Sequence, residues 1–238
     1  MGSTFLSFLL IIHCGVSAVT RVHIHVNEWK TWREARSYCR KNYKDLSTIS
    51  STEENLRLRQ MLGGNHAWIG MHRNDTNMEQ FIWSDGDLQT NFYQWKGGQP
   101  AAKDSNQDCV EVDGEGWADY GCNNHLPFFC YFTWETDNKT WEDALEHCRH
   151  HYTDLASLTT NQQLQQVKNN LMGENSIWVG LRFIAGQWHW LNGEPVANQL
   201  ASSLPACPDE PCRCGAFNIM TEQWENRDCE EKLRFLCF

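Results

Sequence analysis

Ala67-Trp68-Ile69-Gly70-Met71 recurs further along the chain as Ile177-Trp178-Val179-Gly180-Leu181. Each copy is a short apolar run between polar segments, the pattern of a strand buried on both faces. The central glycine removes the Cβ and lets another backbone come close. Around both copies the same order repeats: an amphipathic segment ending in cysteine, this core strand, a Trp-x-(Asp/Asn)-Gly turn at Trp83–Gly86 and Trp190–Gly193, then a cysteine-rich half. A chain of 238 residues with one internal repeat reads as two domains, 19–130 and 131–238.

Within the first unit Val22–Val26 alternates as a strand does. Thr31 and Glu34 form a capping box, and Trp32, Ala35 and Cys39 fall on one helical face. Ser51 with Glu54 opens a second helix, Thr52 to Leu62, whose Leu58, Met61 and Leu62 point inward and which Gly63-Gly64 ends. Phe81–Trp83 is a strand and Ser84-Asp85-Gly86 its turn. Asn91–Asp108 carries few apolar residues and should form a long surface loop, a kind of segment that is usually functional. Cys109–Val112 returns to a strand, Trp117–Cys122 forms a turn, and Pro127–Tyr131 closes the sheet. Tyr131–Trp134 then starts the second unit with no linker between. Thr140 with Asp143 and Thr160 with Gln163 cap its two helices.

Residues 1–18 contain an apolar run, Phe5–Ile12, followed by the small residues Val16-Ser17-Ala18, the pattern of a cleaved signal peptide. No apolar stretch reaches the roughly 20 residues that a membrane span needs, so the expectation is a secreted, extracellular chain. Thirty acidic residues against 20 Lys and Arg leave a net charge of −10, which argues against nucleic acid as a partner. Cys14 would leave with the signal peptide, and the repeat pairs most of the other ten cysteines. Cys39 and Cys130 bracket one unit as Cys148 and Cys237 bracket the other, with Cys109–Cys122 and Cys214–Cys229 inside. Cys207 and Cys212 remain, and are expected to close on each other. The shorter loops would each add about 3 kcal/mol in the chain-entropy model.

Taken together, the Trp-Ile-Gly strand, the outer and inner cysteine pairs, Trp117 and Trp224 each five residues before a cysteine, and the ends Phe128-Phe129-Cys130 and Phe235-Leu236-Cys237 resemble the C-type lectin-like domain. The resemblance covers about residues 22–238. It implies an α+β fold of two C-type lectin-like domains, each with two helices, small antiparallel sheets and a long-loop lobe that carries the ligand site. Fold does not by itself settle function.

In sugar-binding members the lobe holds calcium, which needs hard oxygen ligands. The resemblance implies a Glu-Pro-Asn or Gln-Pro-Asp triplet, an acidic residue two before the inner cysteine, and a Trp-Asn-Asp triplet. Here these positions read Gln99-Pro100-Ala101, Gln107 and Trp117-Ala118-Asp119. Gln99, Gln107 and Asp119 keep oxygens but only one charge, so a strong calcium site is not expected; Gln99 and Asp119 are the weak calcium candidates, and Asp104, Asn106 or Asp108 could substitute. In the second unit Glu194-Pro195-Val196 follows its turn too closely, and the aligned triplet is Cys207-Pro208-Asp209. Cys212 stands at the acidic position, and Trp224-Glu225-Asn226 inverts acid and amide. The candidate ligand contacts are thus Gln99, Gln107, Trp117, Asp119, Asp209, Glu225 and Asn226.

Each has a plainer reading. Trp95, Trp117 and Trp224 serve equally as core pegs, and loop carboxylates are mostly solvated. His23 and His25 share a strand face but lack a third zinc ligand. His147, His150 and His151 end a helix, where cations suit the dipole. Asn74 and Asn138 begin glycosylation sequons. The chain contains no Gly-x-Ser-x-Gly, His-Glu-x-x-His or phosphate-cradling loop, so no enzyme is expected. Two functions follow: a lectin-like protein that binds glycans or glycoproteins, for instance on microbial surfaces, with little or no calcium dependence, or a calcium-independent protein-binding module that uses the same lobe.

Overall fold

The computed structural model describes residues 20–88, 91–101, 107–197, 203–206 and 208–238. The expected signal segment, residues 1–18, lies outside these. The first repeat runs β1 (Thr20–Lys30), α1 (Trp32–Asn42), β2 (Asp45–Leu46), α2 (Thr52–Leu62), β3 (Ala67–Asn74), β4 (Asn77–Trp83), β5 (Cys109–Val112) and β6 (Trp117–Tyr120). After β7 (Leu126–Lys139) come α3 (Trp141–His151), α4 (Asn161–Asn170), β8 (Ser176–Ile184), β9 (Gln187–Trp190), β10 (Cys214–Asn218), β11 (Gln223–Arg227) and β12 (Leu233–Cys237). The fold is α+β. No helix among the described residues is long and apolar enough to cross a membrane.

The helices start where local chemistry dictates. The Thr31 hydroxyl accepts the Glu34 N–H, while Glu34 Oε2 accepts the Thr31 N–H at 3.0 Å. Thr160 and Gln163 repeat the exchange on α4. α2 stops on Gly63, whose φ of 57° is left-handed and easy for a residue without Cβ.

The two core strands sit in matching cages. A Cβ on Gly70 would lie 2.8 Å from the Leu46 carbonyl, and one on Gly180 would lie 2.6 Å from the Leu155 carbonyl. Trp68 and Trp178 are fully buried, and their Nε1 atoms donate to the carbonyls of Lys30 and Lys139 at 3.0 and 2.9 Å. From α1 and α3, Trp32 and Trp141 donate to Ile69 and Val179 at 2.8 and 2.9 Å. Four disulfides staple the repeats: Cys39–Cys130, Cys109–Cys122, Cys148–Cys237 and Cys214–Cys229. Cys207 lies outside the described residues, so the Cys207–Cys212 pairing is not described; Cys212 is half-buried and in no disulfide among the described residues.

Three features differ from the sequence reading. Pro127–Tyr131 and Tyr131–Trp134 are one strand, β7, because Pro127–Trp134 is buried throughout and, after Pro127 at its start, carries no Gly, Pro, Asn, Asp or Ser to turn the chain. The 130/131 boundary therefore falls inside a strand shared by both repeats. As a result the sheets join in one path, β11-β10-β8-β12-β7-β3-β5-β6, and among mostly antiparallel pairs β3–β7 and β8–β12 are parallel. Finally, Trp117–Tyr120 pairs with β5 as strand β6, where a turn was expected.

Helix α4 settles how the repeats pack. Its side-chain amides at Gln162, Gln166 and Asn170, one helical turn apart, line the outer edge of β1. Gln166 accepts the His25 N–H at 2.6 Å and donates to the His25 carbonyl at 3.2 Å; Gln162 donates to that carbonyl at 2.6 Å, and Asn170 to the His23 carbonyl at 3.5 Å. An open strand edge invites foreign pairing, and this ladder satisfies it from within. One apolar cluster continues beneath it from Ile24 and Phe132 to Val167 and Leu171.

Candidate functional site

In the first lobe the register of three strands gathers the expected residues. β3 and β5 pair His72 with Cys109, which sets Arg73 beside Asp108; β5 and β6 pair Val110 with Asp119. Gln99 and Asp119 do converge: the Ala101 N–H donates to Gln99 Oε1 at 2.9 Å and to Asp119 Oδ1 at 2.8 Å. The Asp119 side chain is 0% exposed. Gln107 joins them through its backbone carbonyl, 3.5 Å from Arg73 Nη2.

Arg73 is the residue that sequence reasoning missed. Its Nη2 stands 3.4 Å from Asp119 Oδ2 and its Nε 3.1 Å from Asp108 Oδ1, while Nη1 donates to the Met78 carbonyl at 2.7 Å. The guanidinium carbon lies 4.5 Å from the centre of the Phe81 ring, within cation–π range. The only sequence signal was a cation two residues past the core-strand glycine's neighbour Met71, and nothing local named its partners.

Among the described residues the donors do not fit a calcium ion; Asp104 and Asn106 lie outside them. Calcium needs six to eight oxygens at about 2.3–2.6 Å. Here Asp119 and Gln99 share an N–H, Asp108 and Asp119 face a guanidinium, and Ala101 and Ala118 bring no side-chain oxygen. Arg73 already supplies the positive charge that the carboxylates call for.

A second acidic group in the same repeat is closed in a similar way. His66 Nδ1 lies 2.8 Å from Glu111 Oε2, and Lys96 Nζ lies 2.6 Å from Asp113 Oδ2 and 3.6 Å from Glu111 Oε1. Burial pushes the Asp113 carboxyl up, but Lys96 and the N–H groups of Glu115 and Gly116 outweigh it and hold the carboxyl below its usual range. His66, Glu111 and Asp113 are close enough together to ligate a metal, yet the Lys96 ammonium occupies the charge balance.

Trp117 belongs to the core. It is fully buried, its Nε1 donates to Asn55 Oδ1 at 2.8 Å, and Trp83, Phe92 and Trp95 meet it edge-on.

The second lobe does not bring its candidates to one point. Glu225 and Asn226 are neighbours on β11, so their side chains leave opposite faces. Glu225 accepts from Ser176 Oγ at 2.7 Å, Asn218 Nδ2 at 2.9 Å and Arg227 Nη1 at 2.9 Å. Burial raises its carboxyl, but these three bonds win and hold it below the usual range. Asn226 Nδ2 points instead to the Cys212 carbonyl at 3.5 Å. Asp209 is exposed, and its backbone carbonyl accepts the Cys212 N–H at 2.7 Å. Among the described residues the prolyl bonds in the cis form are Gln99–Pro100 and Glu210–Pro211.

The remaining candidates are local. His23 Nδ1 is 3.0 Å from Ser47 Oγ and its Nε2 is 3.6 Å from Glu54, while the His25 ring packs on Phe129, so the two rings have separate partners. Asn74 sits at the end of β3, where its Oδ1 accepts from the Thr76 N–H and hydroxyl. Asn138 is exposed near the end of β7.

These lobes have relatives among known proteins. The model of the lectin C-type domain matches twice, at residues 28–132 and 137–238. Human C-type mannose receptor 2 is 27% identical over 252 residues, which cover 88% of this chain but 17% of the receptor, so the chain spans about a sixth of that relative's length. A C-type lectin of Thrasops jacksonii, one of the lectoxins, is 35% identical over 117 residues, covering 44% of this chain and 72% of the lectin. Among solved structures, the cow CD23 carbohydrate-recognition domain, determined in the presence of a GlcNAc2Man3 oligosaccharide, matches with 26% identity and a TM-score of 0.43 over 48% of this chain and 92% of that domain.

Proposed function

We propose, from the premise that the chain belongs to the C-type lectin domain family, that it is an extracellular, non-enzymatic recognition protein binding carbohydrate or glycoprotein ligands through its long-loop lobes, with residues 19–130 and 131–238 as its two units. Four disulfides suit an oxidising compartment. Binding needs little or no calcium. The observation that carries this is the guanidinium of Arg73 set against Asp119 and Asp108, which gives the carboxylates of the first lobe a cation from the chain itself. Arg227 does the corresponding work for Glu225 in the second.

A glycan array probed with the disulfide-intact chain, in calcium and again in chelator, tests the reading. Glycan binding of equal strength in both conditions is the expected result. Binding abolished by chelation would overturn the metal-free part. No glycan bound in either condition would overturn the lectin part and turn the search to protein partners, for which the same clamped lobe offers a stiff contact face.

A further inference from the structure

Helix α3 ends in three histidines, His147, His150 and His151, none of which the lobes use. His147 and His151 are four residues apart and so share one face of the helix; their ring centres lie 4.6 Å apart. The register of β7 against β12 sets Glu135 opposite Phe235, and the His147 ring packs edge-on against the same Phe235 at 5.4 Å. Imidazole and carboxylate therefore meet beside one buried ring, with His147 Nε2 3.5 Å from Glu135 Oε2. Glu135 Oε1 accepts the Tyr152 hydroxyl at 2.6 Å, so the residue that caps α3 also orients the carboxylate.

The fold does not demand this set. Cys39 and Cys148 hold the same place in α1 and α3, so the first repeat carries Tyr38 where the second has His147, and Asn42 where it has His151. His150 matches Lys41, a cation that suits the end of either helix.

We propose that His147, His151 and Glu135 form a zinc site, an assignment independent of the lectin-like reading above. Two imidazoles and a carboxylate are a donor set that zinc takes and that calcium, which needs oxygens, does not. Distance separates an ion pair from a metal site. A charge-assisted bond between nitrogen and carboxylate measures about 2.7–2.9 Å, whereas two atoms each about 2.0–2.1 Å from a tetrahedral zinc lie about 3.3–3.4 Å apart. The 3.5 Å between Nε2 and Oε2 matches the second. Two imidazoles on one zinc keep their ring centres about 5 Å apart, close to the separation of His147 and His151. His151 supplies the third ligand by a turn of its ring, which is exposed and outside the core. The Tyr152–Glu135 bond is the kind of outer contact that fixes a metal-bound carboxylate.

The charge balance differs from that at His66, Glu111 and Asp113, where the Lys96 ammonium stands among the carboxylates. Among the described residues no Lys or Arg forms an ion pair with Glu135, and Lys44 lies over the Tyr152 ring, 5.6 Å from its centre. Zinc held here ties the end of α3 to β7, the strand that both repeats share.

Cobalt(II), which adopts the geometry of zinc and absorbs visible light, tests the site when titrated into the full disulfide-intact chain. A tetrahedral cobalt spectrum is expected to saturate at one ion per chain, to vanish with one equivalent of zinc and to survive an excess of calcium. His147→Asn, His151→Asn and Glu135→Gln should each weaken zinc binding by more than about tenfold, and Tyr152→Phe by about tenfold. His150→Asn and His66→Asn should leave it unchanged. Because His151 is exposed, its variant should unfold at the native temperature in the absence of metal, which separates a lost ligand from a lost fold. Absence of the tetrahedral spectrum, or zinc affinity indifferent to the His147 and His151 changes, would overturn the site. Loss of binding on His66→Asn alone would also overturn it and move the metal to Glu111 and Asp113.

Discussion

The guanidinium of Arg73, on β3, meets the carboxylate of Asp119, on β6, at 3.4 Å in a place where the Asp119 side chain has no exposure to water. A charge so placed is costly to leave without a counter-charge. Arg73→Met should therefore destabilise the chain by about 3 kcal/mol, the low end for breaking a buried pair. Thermal unfolding in millimolar calcium and in chelator checks whether the guanidinium stands in for a metal. The native chain is expected to melt at one temperature in both, while the variant, with Asp119 and Asp108 relieved of the guanidinium, should gain stability from calcium by mass action. A native melting temperature that rises with calcium would refute the built-in cation.

Gly70 and Gly180 tolerate no side chain. A Cβ at 2.8 Å from the Leu46 carbonyl, or at 2.6 Å from the Leu155 carbonyl, meets backbone that cannot turn aside. Gly70→Ala and Gly180→Ala should each cost about 1–3 kcal/mol, as overpacked cores do. Urea unfolding midpoints measure this, and the second change, with the closer contact, should cost at least as much as the first.

Gln166 replaces a neighbouring strand for His25. Its amide both accepts from and donates to that backbone, at 2.6 and 3.2 Å. Gln166→Ala strips the His25 N–H of its partner and should cost about 1–3 kcal/mol. Hydrogen exchange at the His25 amide should quicken in the variant, whereas exchange within α3 should stay as it is.

Mild acid should loosen the fold before strong acid does. Burial lowers the His25 and His72 imidazoles from 6.5, so the folded state resists protonation that the unfolded chain accepts. Stability from these groups is whole above pH 6.5 and declines as the pH falls below it. Glu54 behaves on a lower scale: burial raises its carboxyl, but the neighbouring His23 imidazole and bonds from Ser50 outweigh this and bring it from 4.5 down to about 2. Its contribution is present above pH 4.5 and is lost as the pH falls through about 2. Melting temperatures between about pH 8 and pH 2 should show both declines, and His25→Phe, whose ring can rest on Phe129 as the imidazole does, should flatten the first.

Short-range codes were readable from the chain alone. The duplicated Trp-x-Gly strand, the capping pairs Thr31 with Glu34 and Thr160 with Gln163, and the buried helix faces through Cys39 and Cys148 each depend on residues a few positions apart. The departures from the family's calcium pattern at Ala101, Gln107 and Ala118 were also visible, because losing an oxygen or a charge is a property of one residue.

The partners of Arg73 were not visible. Arg73 finds Asp108 and Asp119 from 35 and 46 positions away, and only the registers of β3, β5 and β6 make those separations into contacts. For the same reason two lectin-type units could be read from the order of residues, whereas three features came only with the folded chain. These are β7 as the strand that joins the units, the amides of α4 along the edge of β1, and the cation that the first lobe carries for itself. Local pattern selects elements through propensity and periodicity. A cross-strand pair depends on how distant segments align, and that alignment is settled by burial of the whole core.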